Sequence, residues 1–199
     1  MKPSASHAIP LPHRHRQEAA EGWLMLGNPL EALAELEGLP DVFRQRLDVL
    51  TLHWSACSSL RRWDEAWRVA NAQWTHYPEA VESWIHRSYA ARRHTGGSID
   101  QAFGLLEPSL ERFPTEPILY YNLACYLAQM GREEDAWKRF QQALEAGDPI
   151  EFRMMALADE DLKPIWSRIA VMRNSMGSPA SSACWKRFQA SSSRPIWAR

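Results

Sequence analysis

Residues Tyr120 to Pro149 read YYNLACYLAQMGREEDAWKRFQQALEAGDP, and two helical patterns meet in them at a glycine. Tyr120, Leu123, Ala124 and Leu127 advance by steps of three, one and three, which lays one apolar stripe along a helix. Gly131 ends that helix, because glycine accepts the left-handed conformation that closes a last turn. Glu133, Glu134 and Asp135 follow in the first turn of a second helix, where carboxylates suit the positive end of the dipole. Ala136, Phe140 and Ala143 form its stripe: the alanines let two backbones approach and the phenylalanine fills the space between. Asp148 and Pro149 close the unit as cap and first residue of a further helix, with Glu151 completing a capping-box-like pattern.

The same pattern occurs three times upstream. Ala32, Ala66, Ala102 and Ala136 lie 34, 36 and 34 residues apart. Four residues after each stand Leu36, Ala70, Leu106 and Phe140. Pro78 and Pro114 each fall twelve residues after their alanine, and Pro149 thirteen after its own. The inserted Thr95-Gly96-Gly97-Ser98 turn accounts for the longer spacing.

A helix–turn–helix of this period, with a small–large–small stripe and a closing proline, resembles the tetratricopeptide repeat. Leu50, Trp84 and Tyr120 match the large residue opening that family's first helix, and the four alanines match its packing alanine. The turns RRWDEAW (61–67) and GREEDAW (131–137) resemble the family's turn and second-helix start. The resemblance covers roughly residues 17–150; its first unit is the most degenerate, and Trp54 stands where the family usually holds a small residue. The segment from Glu151 to Ile169, containing LADEDLKPIW, is similar to closing segments that follow such repeats in bacterial proteins. The expected fold is therefore all-α: a right-handed superhelix of about three or four stacked antiparallel helix pairs with C-terminal capping helices.

Composition agrees with one globular domain and a tail. Of 199 residues, 45% are hydrophobic and the net charge is −1, which favours neither nucleic acid nor acidic lipid as a partner of the whole molecule. Ten tryptophans are many for this length; Trp67 and Trp137 share a repeat position, so they read as filler between helices. Cys57, Cys125 and Cys184 are widely spaced and odd in number, which suits reduced, buried thiols in a cytoplasmic compartment. There is no apolar run long enough for a membrane span and no secretory h-region at the N-terminus.

In chain order, residues 1–15 carry prolines, histidines and arginines without period and predict a flexible arm; His13 and His15 lack metal-ligand partners nearby. The repeat domain is expected over 16–150, with helices near 17–26, 44–58, 63–77 and 79–93, Asn28 and Ser98 as caps, and Pro108 bending one second helix without ending it. Capping helices are expected over 151–173. Residues 174–199 hold seven serines and no carboxylate, and predict a disordered basic tail. Within it WKRFQ (185–189) repeats 137–141, and PIW (195–197) repeats 164–166.

The resemblance implies a concave groove lined by first helices. By position it would expose Thr51, Leu52, Ser55, Ile85, His86, Tyr89, Arg92, Arg93, Tyr121, Asn122 and Cys125. Asn122 matches a position that often bonds a peptide backbone, and Arg92 and Arg93 suit a carboxylate. The family's clamp for chaperone tails needs lysine and asparagine where this chain holds Thr51 and Ser55. No phosphate loop, HExxH, GxSxG or CxxC is present, so neither an enzyme, a cofactor nor a metal is expected. The expected function is a scaffold or adaptor that binds a protein or peptide in the groove, with no small-molecule substrate. A dedicated chaperone for an exported protein is the alternative, and nucleic-acid or anionic-surface binding through the basic tail ranks below it.

Overall fold

The computed structural model describes residues 10–172, and every regular element among them is helical. The tail beyond residue 173 and most of the N-terminal arm lie outside the described residues. The chain divides into two compact units, Met1–Ala102 and Phe103–Arg199, with the boundary inside one short helix.

The first unit holds α1 (Leu11–Met25), α2 (Pro29–Glu37), α3 (Asp41–Arg44), α4 (Leu47–Ser59), α5 (Trp63–His76), α6 (Val81–Ala91) and the start of α7 (Ile99–Leu106). Helix α1 packs on α2, α2 on α4, α4 on α5 and α5 on α6. Helix α1 begins at Leu11 rather than near Gln17, because Pro12 fits a first turn and its backbone is continued by bonds from His13 and Arg14 to the Pro10 carbonyl. The expected side-chain cap at Asn28 does not form; its N–H instead closes the preceding turn onto the Trp23 carbonyl at 2.8 Å.

That turn is the recurring local structure. Asn28, Arg62 and Arg132 donate their N–H groups to the Trp23, Cys57 and Leu127 carbonyls at 2.8, 2.9 and 2.9 Å. The residue before each is left-handed: Gly27 at φ 77°, Arg61 at φ 56° and Gly131 at φ 74°. This is a Schellman closure, which satisfies orphan carbonyls at the end of a first helix and turns the chain back into the second. Arg61 is the one non-glycine residue in this conformation among the described residues.

The second unit holds the rest of α7, α8 (Ser109–Arg112), α9 (Pro117–Gln129), α10 (Glu133–Ala146), α11 (Pro149–Ala158), a 3-10 segment (Glu160–Ile165) and α12 (Trp166–Val171). Pro108 does more than bend its helix. It removes the N–H that would bond Gly104, the chain tightens to a Leu110-to-Glu107 bond, and the element splits into α7 and α8. The Ser109 hydroxyl donates to the Leu106 carbonyl at 2.6 Å within the break. The Asp148 cap forms as the sequence predicts, its carboxylate accepting from the Ile150 and Glu151 N–H groups at 2.9 and 3.2 Å. Gly147 before it has no alternative, since a Cβ there would stand 2.6 Å from Phe152 and 2.9 Å from Pro117.

The core of this unit departs from a single stripe. Every residue from Tyr121 to Ala128 is buried. Helix α10 covers one side of α9 with Ala136, Phe140 and Ala143; the 3-10 segment covers another, bringing Leu162 and Ile165 into the same cluster. No helix among the described residues is long and apolar enough to cross a membrane.

The turn geometry makes a direct prediction. A side chain at φ 56° carries a strain of about 1–2 kcal/mol, partly offset by the extra unfolded-state entropy of glycine. Arg61→Gly is expected to raise the urea midpoint by an amount equivalent to about 0.5–1 kcal/mol. An unchanged or lower midpoint would mean that the Arg61 side chain contributes more than its backbone costs.

Candidate functional site

The residues that the repeat pattern assigns to a groove meet different fates in the two units. On α4, on α6 and in the two residues after it, Thr51, Leu52, Ser55, Ile85, His86, Tyr89, Arg92 and Arg93 are all partly accessible. They surround a cluster of rings. His86 stacks on Trp54 with centroids 3.9 Å apart and planes within 8°. Tyr89 meets the edge of Trp54 at 5.9 Å and lies 6.0 Å from Trp63. The Arg93 guanidinium sits 3.5 Å over the Tyr89 ring and 5.4 Å from the Trp63 ring, and donates to the Tyr89 carbonyl at 3.1 Å.

Beneath these rings runs a polar relay. Gln73 of α5, with no exposed surface, donates its amide N–H to Thr51 Oγ1 at 3.0 Å. Its amide oxygen is then left to accept from His86 Nδ1 at 2.9 Å, which fixes the proton of the neutral imidazole on that nitrogen. Burial pushes the His86 pKa down to about 3. His86 is therefore a neutral, stacked ring at ordinary pH, and it cannot supply a positive charge to a partner. Gln73 carries no groove signal in the sequence; its trace is a polar residue standing on an otherwise apolar stripe with Ala66 and Ala70.

In the second unit the equivalent face is covered. Tyr121, Asn122 and Cys125, expected to be exposed, are 1%, 5% and 5% accessible. The reason is the chain's own closing segment. The Tyr121 hydroxyl donates to Asp159 Oδ2 at 2.9 Å, and the Cys125 thiol approaches the same oxygen at 3.6 Å. The Asp159 carboxylate also accepts from the Asp161 N–H at 3.0 Å, and Gln129 donates to the Asp161 carbonyl at 2.9 Å. Asn122 spends its amide on the Ile118 carbonyl of its own helix, at 2.8 Å, rather than on a peptide. Burial raises the Asp159 pKa above the usual carboxylate range, against the lowering effect of its hydrogen bonds. The same surroundings, burial first, push the Tyr121 phenol upward. Asp159, within the LADEDLKPIW stretch, caps the 3-10 segment and is the group that holds it on α9.

Among the described residues Cys57 and Cys125 are both buried thiols, as their positions in first helices suggested; Cys184 lies outside them.

No protein-family model and no curated protein matches this chain. Among solved structures, the part of MamA from residue 41 to its end, from Desulfovibrio magneticus RS-1, is similar in fold with a TM-score of 0.62. It is 18% identical, and the match covers 86% of this chain and 100% of that one. The likeness and the helix pairs together show an all-α helical-repeat fold of the tetratricopeptide type.

The relay gives a pH prediction with a definite sign. A histidine whose folded pKa lies near 3, against an ordinary 6.5, binds fewer protons folded than unfolded. Its contribution to stability is complete above about 6.5 and is lost as pH falls from there towards 3. His86→Phe keeps a ring on Trp54 and removes this loss. Urea midpoints measured down a pH series should fall less steeply for the variant than for the wild type; parallel curves would refute a desolvated, neutral His86.

Proposed function

We propose that the chain is a protein-interaction module that takes an extended, acidic segment of a partner protein on the α4–α6 face of its first unit. The repeat fold supports a protein-binding role of this general kind. The observation that carries the finer reading is the closing segment of the second unit. There a short acidic stretch, Asp159 to Asp161, lies on a first helix and is held through one carboxylate and one carbonyl. The positions that hold it, Tyr121, Cys125 and Gln129, correspond across 70 residues to Thr51, Ser55 and Ser59 on α4. On α6 and just past its end the corresponding positions are Ile85, Tyr89 and Arg93.

The first-unit face adds what a separate partner needs. Trp63, His86 and Tyr89, backed by the buried Trp54, offer stiff ring surface that loses little entropy on binding. Arg92 and Arg93 set positive charge at its edge, and a guanidinium matches a carboxylate with paired donors. Since His86 is neutral, the two arginines carry the charge recognition. No arrangement of nucleophile, base and oxyanion donors accompanies these residues among those described, so binding rather than catalysis is the reading we adopt.

The test is capture of partners from a lysate of the source organism by the wild type, by Tyr89→Ala and by Arg92→Glu with Arg93→Glu, all matched for helicity by circular dichroism. A partner should elute earlier with rising salt and be lost by both variants. Purified, it should bind each variant about 2 kcal/mol more weakly, or roughly thirtyfold in Kd. Equal capture by all three proteins would remove the site from this face.

A further inference from the structure

We propose that His53, Cys57 and Glu65 form a binding site for a borderline-soft divalent cation of the zinc class, built into the second helix pair. His53 and Cys57 are four residues apart on α4 and so share one side of it. Glu65 stands in the first turn of α5, and the left-handed turn at Arg61 brings it opposite them, fixed by the Arg62-to-Cys57 backbone bond at 2.9 Å. His53 Nε2 lies 3.2 Å from Glu65 Oε1, and the ligand atoms of all three residues lie within 4.8 Å of one another.

These are zinc ligands by type and nearly so by distance. Bonds of about 2.0–2.3 Å in a tetrahedron set ligand atoms roughly 3.5 Å apart, so closure asks for a movement of about 1 Å by side chains alone. The charges also balance. A thiolate and a carboxylate with a neutral imidazole sum to −2, which neutralises a divalent ion in a poorly solvated place. Cys57 has no exposed surface, while the His53 and Glu65 side chains are 27% and 28% exposed. The site is thus closed beneath and open above, leaving a fourth position for water. Arg62 lies 3.8 Å from Glu65 Oε2 and would hold the carboxylate to one-oxygen ligation.

The repeat itself argues that the His–Cys pair is not required for folding. The positions of His53 and Cys57 are occupied by Ala19 and Trp23 in the first helix pair and by Leu123 and Leu127 in the last, both of the latter buried. The acid is a common feature, since Glu31 and Asp135 stand at the position of Glu65. The second pair alone combines that acid with a nitrogen and a sulfur ligand. Burial, then the nearby Glu65, hold the Cys57 thiol up to about 12, against the lowering fields of Arg62 and Arg68, so a cation would have to expel its proton on binding.

The experiment is titration of the reduced full-length protein with Co²⁺, followed by displacement with Zn²⁺. One equivalent should produce a thiolate-to-cobalt charge-transfer band with the intense visible bands of tetrahedral cobalt, and Zn²⁺ should abolish both. His53→Gln and Cys57→Ala should each lose the charge-transfer band, and a Cys125→Ser, Cys184→Ser double variant should keep it. Zn²⁺ should raise the thermal midpoint of the wild type and leave that of His53→Gln unmoved. If Cys57→Ala fails to fold, the partly exposed His53→Gln decides. Absence of the band in the wild type overturns the proposal, as does its survival in His53→Gln or its loss in the double variant. Cobalt held by histidines elsewhere would lack the thiolate band and would count against the site.

Discussion

Ala32, Ala66, Ala102 and Ala136 have no exposed surface, and the distance between paired helices is set at such residues. A methyl group lets two backbones close to a separation at which the larger side chains one turn away interlock; any bigger residue would push the pair apart. What lies one turn on then differs by pair. Phe140 fills the α9–α10 interface and meets Tyr121 at 6.4 Å, while the equivalent Ala70 is small and fully buried. In that pair the first helix carries the buried Trp54, which stacks on His86 with centroids 3.9 Å apart.

The two first-helix faces show how the same local geometry can be used in different ways. On α9 the face is filled from within the chain, through Asp159, and the helix becomes buried on nearly all sides. On α4 and α6 the face keeps part of its surface open, with rings supported by a hydrogen-bonded relay through Gln73. A buried amide that spends one end on Thr51 and the other on His86 satisfies both groups and stiffens the surface above it. Rigid rings over a satisfied polar layer make a surface whose shape is set in advance, which is what the proposed binding role requires.

Charge on this surface is distributed by burial rather than by residue type. His86 keeps part of its surface accessible, yet desolvation holds its ring neutral at ordinary pH. Asp159 ends a helix in an acidic run, yet it is enclosed and its proton is held more tightly than usual. The trio of His53, Cys57 and Glu65 follows the same logic. Three groups of modest character in water become a potential ligand set because a turn fixes them together beside a poorly solvated core.

Much of the fold was legible in the chain, because periodic patterns report local geometry. The 34-residue spacing, the alanine contacts, Gly131, the Asp148 cap and the Ser98 cap, which accepts from the Gln101 N–H at 3.1 Å, are each set by a few neighbouring residues. The helix starts at Leu11, six residues before the expected Gln17, and Pro108 splits its helix where a bend was expected, since the strength of a proline's effect depends on what satisfies its neighbours. The groove was legible as a set of positions and illegible as a surface. Residue spacing placed Tyr121, Asn122 and Cys125 on an outward face of α9, and nothing local says that Asp159, 38 residues after Tyr121, returns to cover them. Helix, turn and repeat were thus determined by the sequence itself, through interactions that reach a few residues. Which faces stay open, which acid is buried and which buried amide meets which histidine were decided by tertiary structure, because burial and hydrogen-bond geometry depend on side chains brought together from different helices.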